Sequence, residues 1–202
     1  MNTGKFICVD GPNGVGKSTL VKKISDLLLN ASIDVLVTKE PTSSNLGQFI
    51  RNEQGNFKGK VLACLVAADR YDHIEKVINP NLRSGKIVIS DRYLPSSLVY
   101  QAMDGVESDF IWRLNENIVF PDLFVFVSAS PEIIMERLNA RNNLTRFEDL
   151  NTVQLELSLY KSAFNSLKLQ GFNVLKIQND KISAQENAQT ICASIIQLLN
   201  TK

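Results

Sequence analysis

The sequence predicts an α/β fold in which a five-stranded parallel sheet is flanked by helices on both faces. Short apolar runs alternate along the chain with segments of 3.6-residue periodicity, the pattern of βα units joined by right-handed crossovers. The runs Val35-Leu36-Val37, Ile87-Val88-Ile89 and Leu123-Phe124-Val125-Phe126-Val127 are continuous rather than alternating, as in strands covered on both faces. A glycine-rich stretch, Gly11-Pro12-Asn13-Gly14-Val15-Gly16-Lys17-Ser18, stands between the first apolar run and the first helical pattern.

Strands are expected over residues 5–10, 33–38, 86–90, 122–127 and 172–177. The helix after the glycine-rich stretch is marked by Leu20, Val21, Ile24, Leu27 and Leu28. Leu62, Leu65, Val66, Asp69, Ile74, Val77 and Ile78 define one long helix, 57–79, expected to end before Asn79-Pro80. Ile133, Ile134 and Leu138 mark a further helix, and Ile191, Ile195, Ile196 and Leu199 a terminal one. Phe110 and Trp112 read as core. No internal repeat, low-complexity segment or linker interrupts the pattern, so a single domain over 1–202 is expected.

Strand, glycine-rich loop and helix form the context of a Walker A phosphate-binding loop. Glycines let the backbone approach an anion closely, and N–H groups at a helix N-terminus point at phosphate oxygens. Gly11, Pro12, Asn13, Gly14, Val15, Gly16, Lys17, Ser18 and Thr19 are therefore the candidate nucleoside-triphosphate-binding residues, ATP-binding in a kinase or ATPase. Lys17 supplies a cation for the β/γ-phosphates, and Ser18 a hydroxyl for Mg²⁺. Kinase, GTPase and ATPase chemistries all remain open at this point.

Composition excludes several classes. A formal charge of +1 over 202 residues argues against bulk electrostatic binding of nucleic acid or an anionic membrane surface. No apolar run reaches the ~18 residues of a membrane span, and the first residues lack signal-peptide shape. Cys8, Cys64 and Cys192 lack metal-ligand spacing and read as small buried hydrophobes. A cytoplasmic protein is expected.

Ligands of such sheets bind at the carboxyl ends of the strands. There the sequence places Lys39-Glu40-Pro41-Thr42 after the second strand and Asp91-Arg92-Tyr93, Ser96-Ser97 and Tyr100-Gln101 after the third. Arg137, Arg141 and Arg146 follow the fourth, and Asp69-Arg70 interrupts the apolar face of the long helix. A hydrolase needs few cations beyond its loop. A phosphotransferase must also hold a second phosphorylated molecule, a task suited to bidentate arginines. Asp91 ends a buried strand, where acids hold Mg²⁺, often through water, although an ion pair with Lys17 or Arg92 would also suit it. Arg137 is spaced to pair with Glu132 or Glu136, Glu40 either orients acceptor-side arginines or caps the next segment, and His73 reads as a surface or packing residue.

Taken together, Asp10-Gly11…Gly16-Lys17-Ser18-Thr19, Lys39-Glu40-Pro41, Ala68-Asp69-Arg70, Asp91-Arg92-Tyr93…Ser96-Ser97…Tyr100-Gln101, Pro121-Asp122 and Arg137…Arg141…Arg146-Phe147-Glu148 resemble the thymidylate kinase family over about residues 5–178. The resemblance implies a P-loop kinase fold with a short arginine-bearing lid at about 139–150. It also implies transfer of the γ-phosphoryl of Mg·ATP to a deoxynucleoside monophosphate, dTMP giving dTDP, by a homodimer. Lys17, Arg92, Arg141 and Arg146 are then catalytic, with Ser18 and Asp91 at the metal. Asp10, Lys39, Glu40, Val66, Arg70, Arg92, Ser96, Ser97, Tyr100 and Gln101 become the acceptor-binding set. Arg92 would hold the acceptor phosphate, Arg70 would reach the base, and Tyr100 with Gln101 would meet the deoxyribose and the base edge. The loop itself has no arginine, so the lid would supply the catalytic cation, the bacterial-type arrangement.

Three positions depart from the family pattern. Val66 replaces a phenylalanine that stacks on the base, Asn13 replaces an acid near the acceptor's sugar, and Lys39 replaces an arginine. A kinase for another, modified nucleotide or a nucleoside is the alternative these changes raise. A non-catalytic ATP-binding regulator is the alternative from another class, and an acceptor clamp plus a lid would serve it no purpose.

Overall fold

A computed structural model of the chain describes residues 4–53, 55–140 and 150–200, without the side chains of 150 and 151. Arg141 and Arg146, with most of the expected lid, lie outside the described residues. Five strands, β1 (Lys5–Asp10), β2 (Val35–Lys39), β3 (Ile87–Asp91), β4 (Leu123–Ser128) and β5 (Val174–Gln178), form one parallel sheet in the order β2-β3-β1-β4-β5. The expected α/β class and strand count hold.

Helices cover both faces. Ile7 and Val9 of β1 point into a core with α1 (Lys17–Asn30), α7 (Pro131–Asn139) and α9 (Ala184–Asn200). Phe6 and Cys8 point the other way, into a core with α5 (Leu94–Met103), α6 (Ser108–Leu114) and α8 (Leu150–Leu169). Both sides of β1 are dry, which is why its residues read as a continuous apolar run. Phe110 and Trp112 of α6 pack against this second core, as expected.

Two expectations about elements are corrected. The long helix does not end before Asn79-Pro80. From α3 (Gly59–His73) the chain continues through a π turn, Ile74–Ile78, into a short helix, α4 (Asn79–Arg83). The Asn79 N–H donates to Ile74 O, five residues back, so the wider turn sits immediately before the proline and Pro80 enters at a helix start, where its missing donor is not needed. β2 is an edge strand, and Val37 is 43% exposed despite its apolar neighbours. Of the cysteines, Cys8 and Cys192 are buried as expected, whereas Cys64 is exposed. A further helix, α2 (Asn45–Glu53), packs on α3.

Candidate active site

Gly11 to Gly16 wrap the N-terminus of α1. Gly11 lies where the end of β1 meets β4, and a Cβ there would stand 2.1 Å from Val127 O. Gly16 caps α1 at φ 92, a left-handed conformation open to glycine. A pocket of about 240 Å³ is lined by Asn13, Gly14, Gly16, Lys17, Ser18, Thr19, Asp91 and Arg92. Lys17 folds back over its own loop, its Nζ donating to Gly11 O (2.8 Å) and Pro12 O (2.7 Å). Burial, reinforced by the neighbouring Arg92, pushes its amine down to about 7. From below, Asn179 Nδ2 and Arg137 Nη1 both donate to Val15 O, and Arg137 Nη2 donates to Asn179 O. Arg137 therefore braces the loop rather than pairing with Glu132 or Glu136.

Ser18 Oγ donates to Asp91 Oδ2 across 2.8 Å, bringing the two expected metal-site residues together beside the loop. Asp91 makes neither of the ion pairs considered for it with Lys17 or Arg92 among the described residues. One hydroxyl and one carboxylate suit a hard cation that takes its other ligands from phosphates and water, as Mg²⁺ does.

Arg92 follows β3 with φ 77, a conformation that costs a non-glycine residue about 1–2 kcal/mol. The surroundings over-determine it. Its N–H donates to Val9 O, and Ser90 Oγ donates to its carbonyl at 2.7 Å. Asp10, fully buried, accepts from the backbone N–H groups of Gly11, Tyr93 and Ser96 and from the hydroxyls of Ser96 and Tyr160. Asp10 is thus the post that holds the Arg92 turn, with both oxygens engaged inside the protein. The Arg92 guanidinium donates to Ser96 Oγ, Tyr160 Oη and Asn13 Oδ1 and sits 5.2 Å from the Tyr100 ring centroid. A planar cation is thereby fixed beside the phosphate loop.

Arg70 is buried on α3. It donates to Glu40, Asn115 Oδ1 (2.6 Å) and Ser97 Oγ (3.0 Å) and lies 4.9 Å from the Tyr93 ring centroid. Glu40 also meets His73 Nδ1, and His73 Nε2 meets Thr38 Oγ1. Glu40 therefore orients Arg70, and His73 is a packing residue behind it. Asp69 caps the Thr42 turn through the Thr42 N–H and hydroxyl. Val66 is half-buried one helical turn before Arg70. Gln101 is buried, and its Oε1 has no hydrogen-bond partner. Lys39 is exposed and lines, with Thr42 and His73, a groove of about 810 Å³ along the β2 edge that meets the phosphate-loop pocket at Ser18 and Asp91.

Residues of α8 escaped the sequence reading. Tyr160 joins Asp10 to Arg92, and Glu156 Oε1 accepts from the Asn13 N–H (3.1 Å) and the Tyr100 hydroxyl. Burial raises both phenols above their ordinary values and keeps them neutral donors. The available signal was an acid, Glu156, standing in the apolar stripe Val153, Tyr160, Phe164, Leu167. Nothing local in the sequence marks Asn115.

A glycine-rich loop at a helix N-terminus, a hydroxyl–carboxylate pair beside it and an arginine fixed against the loop through Asn13 are the parts of a P-loop nucleotide phosphotransferase. Comparison with known proteins narrows the class. The family model described as "Thymidylate kinase" matches residues 9–187. A "Probable thymidylate kinase" of Thermococcus onnurineus is 35% identical over 94% of this chain and 96% of its own length. That of Pyrococcus abyssi is 33% identical over 95% and 96%, and the "Thymidylate kinase" of Orientia tsutsugamushi 29% over 98% and 94%. The chain belongs to the thymidylate kinase family.

Proposed function

We infer that the protein transfers the γ-phosphoryl group of ATP to dTMP, giving dTDP. The observation that carries this is Arg92: a guanidinium held in a strained turn by Asp10 and Ser90, beside the triphosphate loop but not part of it. An ATPase has no use for such a clamp.

In this mechanism the loop amides and Lys17 hold the donor's phosphates, with Lys17 swinging from its own carbonyls to the β/γ-oxygens. Ser18 and Asp91 would hold Mg²⁺, which when bound would supply charge neutralisation on those oxygens. Arg92 fixes the acceptor phosphate in line with the γ-phosphorus, converting a bimolecular encounter into a positioned one. Arg141 and Arg146, outside the described residues, are the candidates to meet charge on the transferring group. Arginines so placed contribute ~10³-fold or more in related chemistry. Arg70, Ser97 and Gln101 form the end of the site for the base, and Tyr100 lies between that end and Arg92.

We also propose a cytoplasmic homodimer. Val61, Cys64 and Ala68 make an exposed stripe on α3, beside Phe49 of α2, which is 43% exposed. The three cysteines are free thiols, as a reducing compartment keeps them.

The direct test is ADP release with Mg·ATP over dTMP, dUMP, dCMP, dGMP, dAMP, UMP and thymidine. Preference for dTMP is expected, with Val66 tolerated in place of a stacking ring. Transfer to another acceptor alone would move the substrate, and ATP binding without transfer would leave a regulator. Arg92→Ala should raise the dTMP KM and lower kcat while ATP affinity stays within about twofold. Loss of ATP binding in that variant would remove Arg92 from the acceptor side.

A further inference from the structure

Two side-chain oxygens among the described residues are buried without any hydrogen-bond partner, Gln101 Oε1 and Glu156 Oε2. Leaving such an acceptor without a donor is costly, more so for a charged group. Both stand among the residues assigned to the acceptor, Gln101 on α5 with Ser97 and Glu156 bonded to Asn13 and Tyr100, and a ligand there would supply the missing donors.

The chemistry of the acceptor matches the count. Apart from a proton on its phosphate, dTMP carries two hydrogen-bond donors, the thymine N3–H and the 3′-hydroxyl. Glu156 shares Asn13 with Arg92, since its Oε1 accepts the Asn13 N–H while Arg92 donates to Asn13 Oδ1. It also accepts from Tyr100, whose ring lies beside the Arg92 guanidinium. Glu156 therefore stands one residue away from the phosphate clamp, at the position of the sugar. Gln101 is near the other end, on the helix whose Ser97 holds Arg70.

We propose that Glu156 is a substrate-binding residue that accepts the 3′-hydroxyl of the acceptor's deoxyribose through Oε2. The assignment rests on the dTMP reading above. It gives the chain a sugar-side carboxylate that comes from α8 rather than from the phosphate loop, where Asn13 carries no charge. Its Oε1 stays fixed by Asn13 and Tyr100, so the free oxygen is already oriented before the nucleotide arrives.

The test compares dTMP with its 3′-deoxy counterpart as acceptors for the wild type, Glu156→Gln and Glu156→Ala. A hydrogen bond to a buried carboxylate predicts that the wild type favours dTMP by about 10–100-fold in kcat/KM. In Glu156→Ala the preference should collapse at least tenfold, with a smaller drop in Glu156→Gln, whose amide still reaches the hydroxyl. Gln keeps the Oε1 contacts, so a change in the ratio there supports the proposal even where Ala fails to fold. Equal losses on both acceptors would mean that Glu156 only ties α8 to the loop, and would overturn it. A wild type that uses both acceptors equally would also overturn it while leaving the dTMP reading intact. Failure of the wild type to phosphorylate dTMP at all would overturn both.

Discussion

Lys17 shows how a single residue is kept ready by its surroundings. Buried against Arg92, its amine is pushed down to about 7, and it donates hydrogen bonds to two loop carbonyls meanwhile. The unfolded chain holds that proton up to about 10.4. Between about pH 7 and 10.4 the unfolded state thus binds more protons, and this group's contribution to stability rises with pH. Phosphate oxygens reverse the effect by restoring the charge. ATP binding at pH 8 should therefore take up close to one proton, and at pH 6 almost none. Calorimetry in buffers of different ionisation enthalpy measures this directly, and zero uptake at pH 8 would show that Lys17 is already charged in the free protein. Charge at this scale was legible in the sequence, because Gly-Lys-Ser spacing carries its own mechanism. Of the partners of Arg70, Glu40 was anticipated, whereas Ser97 and Asn115, 27 and 45 residues further along the chain, were not.

At the scale of elements, strand and helix identity followed from periodicity, and the misses have distinct physical causes. Pro80 reads as a stop because a regular α-helix cannot accept it, yet a five-residue π turn ahead of it resets the hydrogen-bond register. β2 reads as a buried strand because apolar content does not report position in a sheet, and only the crossover order puts it at the edge. The junction of β1 with the phosphate loop is a tight point of the sheet. A side chain at Gly11 would meet the Val127 carbonyl at 2.1 Å and force β1 from β4. Gly11→Ala is expected to cost about 1–3 kcal/mol or more through overpacking. That corresponds to a Tm lower by roughly 3–10 °C by calorimetry, together with weaker ATP binding. An unchanged Tm would mean that the loop moves aside freely.

At the scale of the whole molecule, the α2–α3 surface is the interface proposed above for a homodimer. Phe49 on α2 and Val61 on α3 leave apolar area that folding of one chain does not cover. Val61→Asp should convert a dimer into a monomer in sedimentation equilibrium, with the fold retained by circular dichroism. A wild type that sediments as a monomer would place the interface elsewhere or nowhere.

The buried carboxylate of Asp10 also sets a timetable. It belongs to the first strand, yet the groups it gathers come from Tyr93, Ser96 and Tyr160, the last of them 150 residues further on. A chain emerging from the ribosome makes the phosphate loop and its helix early. It cannot complete the Arg92 clamp until α8, well into the last third, has been synthesised and docked. For most of its synthesis the growing chain carries the residues of the donor site and lacks those that finish the acceptor site, so competence for transfer comes last.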